Sequence, residues 1–324
     1  MKDESAKNIN KAPAVFKRKL SAGGNRKFFL KIYGCQMNVS DAEAVAGMLI
    51  KSGYSLVDSE DKADIIFLVT CSVRDMAEQK VIGKLGFIAK RKVNNPDMII
   101  GVLGCMAQNW KEKLVEKLPF VDIVCGPKDL LKLPDMIDSV IESRQKIIAV
   151  DGEEGSLDTH VPKLRQNNLS AWVPVMRGCN NFCSYCIVPY VRGREISREP
   201  EDVVLEIKNL TKEGYREVVL LGQNVNSYGE GLNKKTDFSD LLTMVNEIEN
   251  IKRIRFVTSH PKDISEKLIK AMAQLDKVCE YLHFPAQSGS NRILKLMNRK
   301  YTREHYLNIS KKLRNKIPEI ALSS

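Results

Sequence analysis

Ala171-Trp-Val-Pro-Val-Met-Arg-Gly-Cys-Asn-Asn-Phe-Cys-Ser-Tyr-Cys-Ile-Val-Pro189 joins a strand-like run, Ala171 to Met176, directly to a loop carrying Cys179, Cys183 and Cys186. A strand that delivers reactive side chains at its carboxyl end is the working unit of a β/α barrel. Four more strand-like runs follow, at Glu217 to Leu221, Ile254 to Val257, Tyr281 to Phe284 and from Ile320. Helical periodicity fills the intervals at Pro200 to Glu213, Ser239 to Ile248, Ile264 to Leu275, Ser290 to Met297 and Arg303 to Lys316. Residues 171–324 therefore predict a partial, open β/α barrel, truncated at Ser324. Each strand end carries polar residues: the cysteine loop, then Gln223, then Ser259 and His260, then Gln287 and Ser288.

The spacing Cys-x3-Cys-x2-Cys selects among chemistries. Three thiolates on a tight loop can hold three irons of a 4Fe-4S cube, and with no fourth cysteine nearby one iron stays open. An open iron of this kind binds and cleaves S-adenosylmethionine, and Tyr185 is placed to lie against its adenine. A bacterial ferredoxin run would be Cys-x2-Cys-x2-Cys-x3-Cys-Pro. A structural zinc site wants a fourth Cys or His, whereas His160, His260, His283 and His305 are all distant in sequence. Zinc and incidental thiols remain the alternatives.

Working towards the amino terminus, Asp151 to Ser170 is polar and aperiodic and reads as a linker. Before it, residues 27–150 alternate strand and helix, with strands at Phe28 to Tyr33, Ile65 to Thr70, Met98 to Leu103 and Val121 to Val124, and helices at Asp41 to Lys51 and Asp75 to Lys90. That alternation predicts an amino-terminal parallel α/β sandwich, making the whole chain α/β. Cys35, Cys71, Cys105 and Cys125 each follow a strand, at the edge where open α/β sheets bind ligands. The first three are one βα unit apart and converge on one rim as candidate ligands of a second 4Fe-4S cluster; four buried core thiols is the competing reading. Cys125, off that spacing, and Cys279 read as packed thiols.

The chain has 324 residues, 43% of them hydrophobic, enough for two cores. Its 51 basic and 40 acidic residues give a net charge of +11, which favours a polyanionic partner. Residues 1–26 are Lys-rich and predict a flexible basic arm. No run of eighteen apolar residues and no leader pattern occurs, so a soluble cytoplasmic protein without membrane contact is expected. Eight cysteines in a reducing compartment point to metal ligands or buried thiols rather than disulfides.

Several motifs in one order resemble the radical S-adenosylmethionine methylthiotransferases over roughly residues 28–324. They are Tyr33-Gly-Cys-Gln-Met-Asn38, Thr70-Cys-Ser-Val-Arg74, Gly104-Cys-Met-Ala-Gln108, the Cys179 loop with Val191-Arg-Gly-Arg-Glu-Ile-Ser-Arg198, Leu221-Gly-Gln-Asn-Val-Asn226 and His283-Phe-Pro-Ala-Gln-Ser-Gly-Ser-Asn291. The resemblance implies two 4Fe-4S clusters, an auxiliary one on Cys35, Cys71 and Cys105 and a radical SAM one on Cys179, Cys183 and Cys186. It also implies an external electron donor and a sulfur donor that the sequence does not identify. Gln36-Met37-Asn38 is similar to the branch that adds a methylthio group to position 2 of an N6-isopentenyl-modified adenosine in the tRNA anticodon stem-loop. The branch that modifies a ribosomal-protein aspartate shows Pro-Lys-Asn there. A zinc-stabilised RNA-binding protein and a two-cluster electron carrier are the readings from other classes. Tyr185, Gln223, Ser259, His260, Gln287 and Ser288 are candidate S-adenosylmethionine contacts. Asn38, Arg192, Arg194 and Arg198 are candidate substrate contacts, the arginines for a carboxylate or a tRNA phosphate. Family members continue into a small RNA-gripping TRAM domain, which the expectation places beyond residue 324.

Overall fold

A computed structural model describes residues 26–73, 75–152, 161–165 and 168–324. Most of the basic arm, part of the linker and His160 lie outside the described residues. The chain divides into two compact units. Described residues 26–152, 161–165 and 190–192 belong to the first, and 168–189 and 193–324 to the second.

The first unit is built on six strands: β1 (Lys27–Ile32), β2 (Ser55–Leu56), β3 (Ile65–Thr70), β4 (Ile99–Gly104), β5 (Ile123–Cys125) and β6 (Ile147–Ala149). All neighbours run parallel, in the order β2-β1-β3-β4-β5-β6. β3, Ile-Ile-Phe-Leu-Val-Thr, is buried at every position, because helices cover both faces and the strand needs no polar side. Ile65, Phe67 and Val69 pack on one face against α1 (Gln36–Lys51), while Ile66 and Leu68 pack on the other against α2 (Asp75–Asn94). Each such fully buried side chain contributes about 1.5–3 kcal/mol. The short helices α3 (Cys105–Trp110) and α4 (Glu112–Lys117) share the α2 face, and α5 (Leu133–Ser143) shares the α1 face. The chain order reverses between β1 and β3, and ligand crevices open at such a switch point.

Part of the expected linker is docked. Leu164 N donates to Glu43 O at 2.9 Å, and Arg165 pairs with the buried Glu43 carboxylate of α1 at 3.7 Å.

In the second unit β7 (Ser170–Pro174) leads into a small antiparallel pair, β8 (Met176–Arg177) with β9 (Ile196–Ser197), and the single turn α6 (Val188–Val191) lies between those two. Then α7 (Pro200–Lys212), β10 (Glu217–Leu221), α8 (Phe238–Asn246), β11 (Arg253–Phe256), α9 (Glu266–Gln274), β12 (Tyr281–His283), α10 (Asn291–Leu296), α11 (Arg303–Lys316) and β13 (Ala321–Ser323) alternate. β7, β10 and β11 form one parallel sheet and β12 with β13 another, and a single bridge from Ile254 to Val278 connects the series. This is the open β/α barrel the sequence predicts, around a core that includes Val173, Val218, Leu220, Ile254, Phe256 and Leu282.

Candidate metal and cofactor sites

In the first unit the three cysteines expected to converge leave the carboxyl ends of adjacent strands. Cys35 follows β1 as the N-cap of α1, Cys71 follows β3, and Cys105 opens α3 after β4. Gly34 and Gly104 precede two of them at positive φ, +125° and +92°. A Cβ on Gly34 would stand 2.5 Å from Cys71 Cβ, and one on Gly104 would stand 2.7 Å from Thr70 O, so only glycine lets these strand ends close up. The neighbouring Cys71 thiol, the Arg192 guanidinium and the amides of Met37 and Asn38 at the α1 amino terminus bring the exposed Cys35 thiol down to about 6. Cys71 is pushed up by its interaction with Cys35 and by burial, and Cys105 by burial.

Asn38 pins this rim. It is fully buried; its Nδ2 donates to Thr70 O at 2.7 Å, and its Oδ1 lies 3.2 Å from Cys35 Sγ, which in its protonated form donates to it. Thr70 Oγ1 in turn donates to Leu103 O at 2.7 Å. Asn38 therefore ties Cys35 to the end of β3. Arg192 belongs with this unit: it is 4% exposed, and its Nη2 donates to Asp41 Oδ2 at 2.7 Å. Of the two partners expected for it, a carboxylate or a phosphate, its guanidinium meets a carboxylate of this chain.

In the second unit the cysteine loop is held from several sides. Gly178 N donates to Gln223 Oε1 at 2.5 Å, Cys179 N to Gly193 O at 3.2 Å, and Cys186 N to Cys183 O at 2.9 Å. Cys179 and Cys183 are buried and Cys186 is partly exposed. Burial pushes the Cys179 and Cys186 thiols up. The Tyr185 ring is half exposed, with a hydroxyl that accepts from Arg299 Nη1 at 3.3 Å.

At the ends of β10 and β11, buried polar atoms lack partners among the described residues: Asn224 Oδ1, both amide atoms of Asn226, Ser259 Oγ and His260 Nε2. His260 Nδ1 accepts from Lys262 N at 3.2 Å, which assigns the proton to Nε2. Burial, with the charges of Arg299, Lys262 and Lys300, drives its pKa down to about 3, so the ring is a neutral N–H donor. Glu195 adds a buried carboxyl, raised to about 7 by burial, whose Oε1 is also unpartnered. Orphaned donors and acceptors of this kind fit a polar ligand that completes their hydrogen bonds.

Two family models match the chain: an uncharacterized protein family, UPF0004, at residues 27–126, and the Radical SAM superfamily at residues 173–323. A protein of Clostridium novyi (strain NT) named tRNA-2-methylthio-N(6)-dimethylallyladenosine synthase is 51% identical over 302 residues, covering 93% of this chain and 67% of the relative. The chain belongs to the radical S-adenosylmethionine methylthiotransferase family. A protein of the same name from Thermoanaerobacter sp. (strain X514) is 50% identical over 304 residues, and there the chain spans 64% of the relative's length. Two solved structures share the fold. The cobalamin-dependent S-adenosylmethionine radical enzyme OxsB with aqua-cobalamin and S-adenosylmethionine bound aligns with a TM-score of 0.65 at 14% identity, over 92% of this chain and 48% of that one. The radical S-adenosylmethionine methyltransferase TsrM from Kitasatospora setae, with tryptophan substrate and aza-SAM bound, gives a TM-score of 0.65 at 15% identity, over 92% and 67%.

The remaining candidates are placed as follows. Arg198 is 5% exposed, with Nη1 donating to Glu206 Oε2 and Pro174 O, each at 2.7 Å; like Arg192 it is internal and meets a carboxylate of this chain. Arg194 is exposed over the Phe182 ring, 4.4 Å from its centroid. Gln223 spends its carbonyl on Gly178. Ser288 Oγ accepts from Ser290 N at 3.1 Å, a turn-capping bond, and Gln287 sits at φ +61°; both line an open hollow with His283, Pro285 and Gly289. Cys125 is fully buried in β5 and has the raised thiol of a packed core residue. Glu195, Asn226 and Arg299 carried no sequence assignment, although Asn226 closes the Leu221–Asn226 motif. Among the described residues no three His, Cys, Asp or Glu side chains converge as ligands of a single ion. A cube instead takes one thiolate per iron. Among the described residues no helix is long and apolar enough to cross a membrane.

Proposed function

We propose that this chain is the catalytic core of a radical S-adenosylmethionine enzyme that replaces the hydrogen at position 2 of an N6-isopentenyl-type adenosine in tRNA by a methylthio group. One observation carries the reading: two separate sets of three cysteines, one at the carboxyl ends of three adjacent parallel strands in the first unit and one on the single loop that follows β7 and β8 in the second. Cys35, Cys71 and Cys105 would hold an auxiliary 4Fe-4S cluster, and Cys179, Cys183 and Cys186 a radical SAM cluster. Breaking an unactivated aromatic C–H lies beyond acid and base groups, and the second cluster, when bound, supplies the electron that cleaves S-adenosylmethionine to a hydrogen-abstracting radical.

The protein's own residues orient and shield. Gln223 fixes the start of the cysteine loop through Gly178. The neutral His260 N–H, Ser259 and Asn226 offer hydrogen bonds to the methionine and ribose of the cofactor. The half-exposed Tyr185 ring offers a face to its adenine. Asn38 and Arg192 hold the auxiliary rim, with Arg192 offsetting the charge of its thiolates. The substrate reading rests on the relatives' names and on Gln36-Met37-Asn38 after Cys35. The net charge of +11 suits a polyanionic partner. Cytoplasmic placement, an external electron donor, a separate sulfur donor and a carboxyl-terminal TRAM region complete the proposal.

The test is anaerobic reconstitution with iron and sulfide, then incubation with hypomodified tRNA, S-adenosylmethionine and dithionite, followed by nucleoside mass spectrometry. The reading predicts a 2-methylthio adenosine and 5′-deoxyadenosine. Cofactor cleavage with a methylthio group on a ribosomal-protein peptide and none on tRNA would move the substrate to the other branch.

A further inference from the structure

Arg299 is 5% exposed, and among the described residues no carboxylate lies within ion-pair distance of it. Burying a guanidinium without an anion costs several kcal/mol. Its surroundings are a thiol and two phenols. Nη1 donates to Cys183 Sγ at 3.2 Å and to Tyr185 Oη at 3.3 Å, Nε reaches Tyr301 Oη at 3.4 Å, and the Tyr301 ring centroid lies 5.3 Å from the guanidinium carbon. The nearby His260 ring meets Tyr301 edge-on at 5.5 Å between centroids and brings no charge.

The backbone is bent to put the guanidinium there. Asn298 and Lys300, on either side, have φ of +53° and +57°, values that cost a non-glycine residue of order 1 kcal/mol each and persist only where surrounding structure enforces them. The enforcement comes from the cysteine loop itself. Ser184 N donates to Met297 O at 3.1 Å, Ser184 Oγ to Leu296 O at 2.7 Å, and Asn298 Nδ2 to Phe182 O at 2.8 Å. Thr302 then caps α11, fixing the far end of the turn.

We infer that Arg299 is a positioning residue for the radical SAM cluster: its hydrogen bond and charge at the Cys183 sulfur stabilise the reduced cluster and so raise its reduction potential. The missing anion is the cluster itself. A cube on three thiolates is net negative and becomes more so on gaining an electron, and both hydrogen bonds to sulfur and nearby charge set such potentials. The inference rests on the cluster assignment proposed above.

The experiment uses the full chain with Cys35, Cys71 and Cys105 replaced by Ala, so that a single cluster remains, reconstituted anaerobically with ferric iron and sulfide. A parent that binds no iron and sulfide would refute the cluster assignment itself. With about four irons loaded, an EPR-monitored redox titration without S-adenosylmethionine compares the parent with Arg299→Gln and Arg299→Lys. At the potential where the parent is half reduced, the reduced-to-oxidised ratio of Arg299→Gln should be about tenfold lower, ~59 mV for a one-electron couple, with Arg299→Lys in between. Full loading of Arg299→Gln at the parent's potential would overturn the inference. If Arg299→Gln fails to load, Arg299→Lys decides: loading near the parent's potential supports the charge role, and failure to load reduces Arg299 to a structural clasp.

Discussion

Replacing Arg198 by Met removes a buried cation that looks, in the sequence, like a phosphate contact. Its Nη1 donates at 2.7 Å to both Glu206 Oε2 on α7 and Pro174 O at the end of β7, so it ties a helix to the strand that feeds the cysteine loop. Met fills much of the volume, so packing loss is small. What remains is a partly buried carboxylate, 14% exposed, deprived of this guanidinium and a strand-end carbonyl without its donor. Breaking a buried pair from one side costs about 3–5 kcal/mol, and the carbonyl's share, about 1–3 kcal/mol, is contained within it rather than added. The double variant Arg198→Met/Glu206→Met removes both charges and should recover most of the loss, since apolar replacement of a buried pair is often near neutral. The chain has two tryptophans, Trp110 in the first unit and Trp172 in β7, so in a Trp110→Phe background fluorescence reports the second unit alone. Urea unfolding of the apo-protein under reducing conditions then gives the comparison. A single variant within 1 kcal/mol of the parent, or a double variant no better than the single one, would refute the internal-tie reasoning, as would unchanged stability with a shallower salt dependence of tRNA binding.

Three further outcomes follow from the site. Glu195, raised to about 7 by burial, binds its proton more tightly folded than unfolded, so the stability it contributes is present below about pH 4.5 and is lost as pH rises through 7. Glu195→Gln should flatten this component in pH-dependent unfolding monitored by Trp172, and an unaltered slope would refute the assignment. Ser259→Ala, which removes an orphaned hydroxyl, should weaken S-adenosylmethionine binding about 5–10-fold by isothermal titration while leaving the iron content unchanged. Asn38→Ala should lower the apo-protein's thermal stability by about 1–3 kcal/mol, through the bond to Thr70 O, without lowering tRNA affinity at fixed salt.

The first unit's central strands were legible because burial on both faces leaves an unbroken apolar run, as in Ile65–Thr70. β2 and β6 were not, since two or three half-buried residues show no period. The start of α1 was expected at Asp41 and lies at Gln36. Its first turn holds Asn38, buried for the sake of Cys35 and Thr70 rather than for the core, so its polarity hid the helix. Spacing along βα units was enough to bring Cys35, Cys71 and Cys105 to one rim and to set Cys125 apart. Charged partners were invisible: nothing in sequence ties Arg192 to Asp41, 151 residues away, or Arg299 to Cys183, 116 away. A buried arginine reads as a surface one until its partner is in view.

The claim that each unit holds its own cluster is tested most directly by counting iron and acid-labile sulfide after anaerobic reconstitution of the parent, Cys183→Ala and Cys105→Ala. The account predicts about eight irons and eight sulfides in the parent and about four of each in either variant. Reductive cleavage of S-adenosylmethionine should be lost in Cys183→Ala and retained in Cys105→Ala. Zinc in place of iron, four irons in the parent, or loss of cleavage in both variants at undiminished iron content would contradict it.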